Sequence, residues 1–446
     1  MLLYKLKGGI LMFTHIYIDN LEGISNLIEL DFIAKSRNKE SLKSVVRAKD
    51  GTYINKLVGI IGGNASGKTS IISAIALIGQ VMVSPIMNFN VDERISKIRE
   101  MLEAKDQNQE IISQMIDSIN NSTDISVQNA ARKEETTKIE VEMYIEDEKD
   151  ELTGFYKYMI VFNGVSHKIV KEYFSYRETL KENEKVIIDI ENSKQFQLYY
   201  INGFYKNITD LESEEEIKEE VKEKYKYIKV FVDHYIKNSA IIDTSEDTNY
   251  KKLSYINWFE KSPEFLKALI KIVDPKIKNI RIDGNMDKEK LLFVLKNNAE
   301  ITRAQLSTGT QRFLNMIRYA IDIIEKNGVL VIDEVEQNMH KELVELIIRL
   351  FGELENKSSQ IIFTTHAPEV FDFLDNEERR IFKQDAIFVI NNKEDKINIE
   401  KLSKIEINGK RVKGDAIVQN LYRNRKISCH PDNEQMKEFF NKIRNK

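Results

Sequence analysis

The chain has a single cysteine, Cys429, in 446 residues. One thiol excludes an internal disulfide framework and any metal site built from several cysteines, and it suits a reducing cytoplasm. Long hydrophobic runs are missing: none approaches the about 20 residues of a transmembrane helix, and Lys5, Lys7 and two glycines break the apolar start. No membrane partner and no signal peptide are expected, and the expected location is cytoplasmic. A dominant charge sign is missing too. The 67 Lys and Arg stand against 71 Asp and Glu, a net charge of −4, so no global field points to nucleic acid or an anionic membrane. Any basic site must be local.

What is present is ample material for a core, with 42% hydrophobic and 31% charged residues. At about 150 residues per domain, this length implies roughly three domains or one large domain with an insertion. At the start, Lys7-Gly8-Gly9 before Met12 is what a purine-rich ribosome-binding site would encode if translated. Residues 1 to 11 are therefore either a read-through leader, with Met12 the native start, or an ordinary first strand.

Residues 13 to 33 read as two short strands around a turn at Asn20 to Gly23, and 57 to 61 (LVGII) as a compact apolar strand. From Val91 to about Ser118, apolar residues recur at helical spacing with no proline to stop them. Residues 137 to 201 turn β-branched and aromatic, broken by turn signals, and predict an antiparallel sheet. Residues 210 to 224 carry eight acids and three bases and lead into a helix to about Lys237, read as a solvated face with an acidic binding surface as the alternative. After Pro263, helices over 264–273, 307–326 and 341–355 alternate with strands over 277–283, 291–297, 328–333 and 360–364, which predicts a largely parallel sheet covered on both faces.

Gly62-Gly63-Asn64-Ala65-Ser66-Gly67-Lys68-Thr69 fits G-x-x-x-x-G-K-[ST], directly after the strand LVGII and before the helix TSIISAIALI. There the loop's N–H groups and the helix start face a phosphate chain. Gly62, Asn64, Ala65, Ser66, Gly67, Lys68, Thr69 and Ser70 are the expected nucleotide contacts, with Lys68 on the β- and γ-phosphates and Thr69 on Mg²⁺. Val329 to Glu334 is an apolar strand ending in two acids at a sheet edge. Asp333 is the expected Mg²⁺ residue, through water, and Glu334 the group that polarises the attacking water. Leu306-Ser307-Thr308-Gly309-Thr310-Gln311 precedes a helix that Ser307 can cap. His366, after the strand Ile361 to Thr364, reaches the same edge as Glu334 and is a candidate γ-phosphate sensor.

The order of P-loop, long insertion, LSTGTQ, VLVIDE and TTH resembles ABC-type ATPases of the SMC and RecF-like group. The wording GGNASGKTS, LSTGTQRF, IDEVEQNMHKEL and FTTHAPEVFD is most similar to the ABC-like AAA-family ATPases of OLD-type proteins and anti-phage systems, such as the PARIS ATPase subunit. The resemblance covers about residues 13 to 80 and 300 to 392, and more loosely the β-rich stretch 137 to 201. It implies ATP and Mg²⁺ as cofactors, and a composite site in which the P-loop of one subunit is closed by Ser307 and Gly309 of another. Glu336 to His340 match the family's D-loop, and Gln80 falls where a metal-binding Q-loop glutamine can lie. The signature departs from LSGGQ at Thr308 and Thr310 but keeps the serine and one glycine.

The helical candidate near residue 92 spans about 39 Å, too short for a chromosome-spanning SMC arm. After His366 no convincing D-x-D arrangement follows, so no nuclease is expected in this chain and any effector, nuclease or toxin, is a separate protein. Residues 404 to 446 hold eleven Lys or Arg against five Asp or Glu, either a solvated tail or a contact for nucleic acid phosphates or an acidic partner. The expected fold class is α/β: an ABC-type P-loop ATPase head with a mixed, largely parallel sheet, an antiparallel β lobe and a helical insertion. The expected division is 1–80 with 264–400 as the split ATPase core, 81–136 helical insertion, 137–203 β lobe, 204–263 helical segment and 401–446 basic C-terminal region. The expected role is a dimeric, ATP-hydrolysing switch that controls an effector, in anti-phage defence. The alternatives are a RecF-like DNA-repair ATPase and an ATP-dependent scaffold with little turnover.

Overall fold

The computed structural model describes residues 9–35, 43–64, 66–83, 132, 135–147, 151–163, 169–191, 199–201, 204–206, 214–242, 263–283, 290–354, 358–393, 396–414, 416–427 and 440–443. The strands are β1 (Ile10–Asp19), β2 (Ile28–Asp31), β3 (Val45–Arg47), β4 (Tyr53–Asn55), β5 (Leu57–Gly62), β6 (Thr137–Glu146), β7 (Gly154–Phe162), β8 (Ile169–Arg177), β9 (Lys185–Glu191), β10 (Tyr199–Ile201), β11 (Phe204–Lys206), β12 (Ser239–Ile242), β13 (Ile277–Asp283), β14 (Lys290–Leu295), β15 (Glu300–Thr302), β16 (Val329–Ile332), β17 (Gln360–Thr365), β18 (Ile387–Lys393) and β19 (Lys396–Lys401). The helices are α1 (Lys68–Val83), α2 (Glu214–Asn238), α3 (Pro263–Val273), α4 (Thr308–Lys326), α5 (Lys341–Glu353) and α6 (Val418–Arg423). The expected helix over 91–118 lies outside the described residues.

The central sheet has the order β12-β16-β17-β5-β18-β19, parallel except for the β18–β19 hairpin. Every residue of β5, β16 and β17 is buried, which is why these strands read as unbroken apolar runs. Alternate residues serve opposite faces: Val58 and Ile60 join one core cluster, Leu57 and Ile61 the other. A mixed α/β fold with a largely parallel sheet and antiparallel sheets is thus what the chain adopts, as its strand and helix pattern implied.

A second sheet, β2-β1-β6-β7-β8-β9, is antiparallel throughout. It takes in both strands read between residues 13 and 33. Helix α1 lies between the sheets, with Ile71, Ile72, Ala74, Ile75 and Ile78 buried among residues of both. Gln360, fully buried, accepts from Phe13 N at 2.9 Å and donates to Phe13 O at 3.1 Å and Asn55 O at 2.9 Å. Those bonds staple β1 to the parallel sheet beside its register shift between Phe13 and His15, where backbone groups need partners.

Two expectations are corrected. The strands at 277–283 and 291–297 do not enter the parallel sheet; β13, β14 and β15 form an antiparallel sheet of their own. The connection from Asp283 to Lys290 is too short for the crossover of about a dozen residues that parallel pairing needs. In turn the parallel sheet gains β12, a strand inside the segment read as helical, with α2 ahead of it.

Candidate nucleotide site

Lys68 begins α1, so its ammonium sits where β5 ends and the helix begins. Its Nζ donates to Gly62 O at 3.0 Å and Gly63 O at 2.8 Å, curling the loop around itself. Gly67 takes φ +92°, a backbone state an L side chain resists. Ser66 is buried and its hydroxyl has no partner among the described residues; Ser70 Oγ accepts from Gly23 N at 3.2 Å. Asn64 is exposed, Ala65 lies outside the described residues, and Gln80 lies on α1 with its side chain outside them.

The P-loop meets the ends of β16 and β17. Thr69 Oγ1 donates to Asp333 Oδ2 at 2.9 Å. Asp333 is buried, and its other carboxylate oxygen accepts from the Thr364 hydroxyl. That same hydroxyl accepts the Glu334 N–H at 2.8 Å. Glu334 itself sits at φ +46°, a conformation costly for a non-glycine residue and met where surroundings over-determine it.

His366 bridges the two halves. Its Nδ1 is 3.4 Å from Lys68 Nζ and its Nε2 is 3.2 Å from Glu334 Oε1. An ammonium only donates and an ionised carboxylate only accepts, so the ring accepts at Nδ1 and donates its proton from Nε2. Its backbone N–H is held by Glu336 Oε1 at 2.5 Å. Burial lowers the Lys68 ammonium below its ordinary value, against the pull of Glu334, Asp333 and Glu336.

Ser307 and Gly309 are not drawn to this P-loop. Ser307 is exposed and caps α4, its Oγ accepting from Thr310 N at 3.1 Å and pairing with Thr310 Oγ1 at 2.8 Å. A Cβ on Gly309 would lie 2.4 Å from Asn338 O, so the signature packs directly against the turn after Glu334.

Three residues at the site were not singled out from sequence: Thr364, Arg312 and, as the holder of His366, Glu336. Arg312, on α4, donates to Asp333 O at 3.2 Å and Glu334 O at 3.1 Å. Its signal was a basic residue on the buried side of an amphipathic helix; that of Thr364 was a hydroxyl at the end of an apolar strand.

The residues fit a nucleotide with Mg²⁺. A buried hydroxyl without a partner at Ser66, beside backbone curled on a lysine, suits an anion that brings acceptors of its own. Among the described residues no group of three His, Cys, Asp or Glu forms a metal cage, whereas Mg²⁺ takes one or two protein oxygens together with substrate phosphates and water. Thr69 and Asp333 offer that much. No helix of the described residues is long and apolar enough to cross a membrane.

Among the solved structures with a similar chain path are three SMC heads. The SMC head bound to the C-winged helix domain of ScpA matches over 88% of this chain and 99% of its own, at 12% identity and a TM-score of 0.46. The SMC head domain from Thermotoga maritima matches over 89% and 99%, at 11% identity and 0.38. The Pyrococcus furiosus Smc head domain with an extended coiled coil, bound to the C-terminal domain of ScpA, matches over 89% and 98%, at 11% identity and 0.41. They add nothing to what the sheet itself shows. No curated protein matches the chain in sequence. A family model does, over residues 57–372, from the P-loop strand to just past His366, and by that match the chain belongs to the family described as "AAA domain, putative AbiEii toxin, Type IV TA system".

Proposed function

We propose that the chain binds and hydrolyses ATP with Mg²⁺, pairs with a second copy through that site, and acts as a switch on a separate effector protein, a nuclease or toxin, in anti-phage defence. The observation that carries the reading is the meeting of Lys68, Thr69, Asp333, Glu334 and His366 at one sheet edge, while Ser307 stays exposed on its own helix start.

Lys68 holds phosphate charge, which offsets the cost of burying its ammonium. Glu334, steadied by the His366 Nε2–H and by Thr364 beneath its backbone, takes the proton of a water that attacks the terminal phosphorus as the β–γ bridge breaks. Thr69 and Asp333 would hold Mg²⁺, which when bound neutralises phosphate charge. Ser307 and the start of α4 present partial positive charge outward, which suits closing the site of a second copy. Loss of the terminal phosphate then removes the attraction between the two, the property of a switch.

The defence context rests on the wording shared with OLD-type and anti-phage ATPases and on a family description that names a toxin of a toxin–antitoxin system. Neither the repair reading nor the scaffold reading has a specific observation in its favour. The test is ATP turnover and solution mass for the wild type and Glu334→Gln. The expected result is turnover in the wild type, and in the variant retained ATP binding, a fall of about 10²- to 10⁴-fold in rate, and accumulation of a larger assembly. If the wild type shows no ATP turnover and no change of mass, the reading is withdrawn.

A further inference from the structure

The parallel sheet has a second edge, opposite the P-loop, where β5 starts at Leu57 and β18 at Ile387. A cleft of about 880 Å³ lies there, within the range of about 300–1,000 Å³ typical of ligand sites, lined by Lys35, Lys43 and Ser44 and by residues from 352–353, 375–385 and 403–414. Gly352 at the end of α5 packs against Leu57 and Ile381, which anchors the cleft floor to the start of the P-loop strand.

Among the described residues, seven Lys or Arg line the cleft against four Asp or Glu, in a chain whose net charge is −4. All four acids are engaged. Asp375 pairs with Arg379 at 3.0 Å, Glu377 with Arg379 at 2.7 Å and Lys43 at 3.6 Å, and Glu353 with Arg349 at 2.7 Å. Asp385 accepts the Lys35 backbone N–H at 2.8 Å. Lys35, Lys383, Lys404 and Arg411 have no carboxylate partner among the described residues. Glu406 faces Arg411 across a two-stranded pairing without forming a salt bridge, and the remaining positive charge around the concavity focuses a positive potential.

We propose that this cleft binds an acidic, extended segment of a partner protein. Two features favour a peptide over nucleic acid. Among the described residues no exposed aromatic ring lines the cleft to stack a base, the usual platform for single strands. The concavity suits one narrow chain better than a duplex. Because the cleft and the P-loop occupy opposite edges of the sheet, an acidic segment can stay bound whether or not ATP is present.

The test is fluorescence anisotropy of the full chain with a labelled oligoglutamate peptide, beside labelled oligoglutamine and a labelled single-stranded oligonucleotide. Expected are saturable, salt-sensitive binding of oligoglutamate, none of oligoglutamine, and a loss of about tenfold or more in affinity in Lys383→Glu/Lys404→Glu/Arg411→Glu. A second variant, Lys404→Glu/Arg411→Glu, changes exposed residues only and should show an intermediate loss. Tighter binding of the oligonucleotide through the same residues overturns the proposal in favour of nucleic acid. Absence of saturable oligoglutamate binding, or equal binding by the variants, overturns it outright. ATP turnover is read separately, so failure here and failure of the nucleotide reading are distinguishable.

Discussion

The Arg312 guanidinium donates to the Glu334 carbonyl oxygen at 3.1 Å, which ties the helix that starts at Ser307 to the turn that carries the proposed base. A second bond, to Asp333 O, sets the turn from the same nitrogen. Arg312→Ala leaves two carbonyls short of a donor, a loss of about 1–3 kcal/mol. The variant should bind ATP but turn it over more slowly, with Arg312→Lys between it and the wild type. A variant with full turnover and unchanged unfolding would show that the contact positions nothing.

Thr364 serves Asp333 and Glu334 through one hydroxyl. Thr364→Val keeps the shape of the side chain and removes both bonds. The expected outcome is a fall in turnover together with a higher Mg²⁺ requirement, read from rate against Mg²⁺ concentration. A lower rate at unchanged Mg²⁺ dependence would confine the role of Thr364 to the Glu334 turn.

Because Ser307 is exposed and bonds only within its own helix start, its test is complementation. Ser307→Arg and Lys68→Ala should each be inactive alone, and a mixture of the two should recover turnover, since a mixed pair contains one intact site. Loss of the cap accounts for only about 1 kcal/mol of stability, too little to unfold the chain. Full activity of Ser307→Arg alone would exclude the shared site.

Far from the nucleotide site, buried Glu142 pairs with His15 at 2.8 Å and with Arg177. Burial alone would raise its carboxyl, but His15 and Arg177 outweigh that and hold it below the ordinary 4.5. A carboxyl lowered in the folded state stabilises fully above its unfolded value, and that stability drains as pH falls through the folded value. Glu142→Gln should therefore cost about 3–5 kcal/mol near neutral pH and flatten the acid limb below pH 4.5. Urea unfolding across a pH series reads both, and an unchanged slope would remove Glu142 from the acid response.

Residues close together in the chain declared the local chemistry. Gly62 to Thr69 sit on a strand-to-helix turn because their glycines and the flanking apolar runs demand one, and Val329 to Ile332 form a buried strand because nothing in them can face water. Other arrangements depended on partners hundreds of residues away. The pairing of β1 with β6, the entry of β12 beside β16, and the separate β13-β14-β15 sheet follow from which edges are free and how long the connections are. His366 could be placed at the right edge from its strand. That it stands between Lys68 and Glu334, that Arg312 reaches back to the Glu334 turn, and that four cations without a carboxylate partner, drawn from three segments, surround one cleft are properties of the packed chain alone, because hydrogen bonds and fields act through space and are indifferent to sequence order.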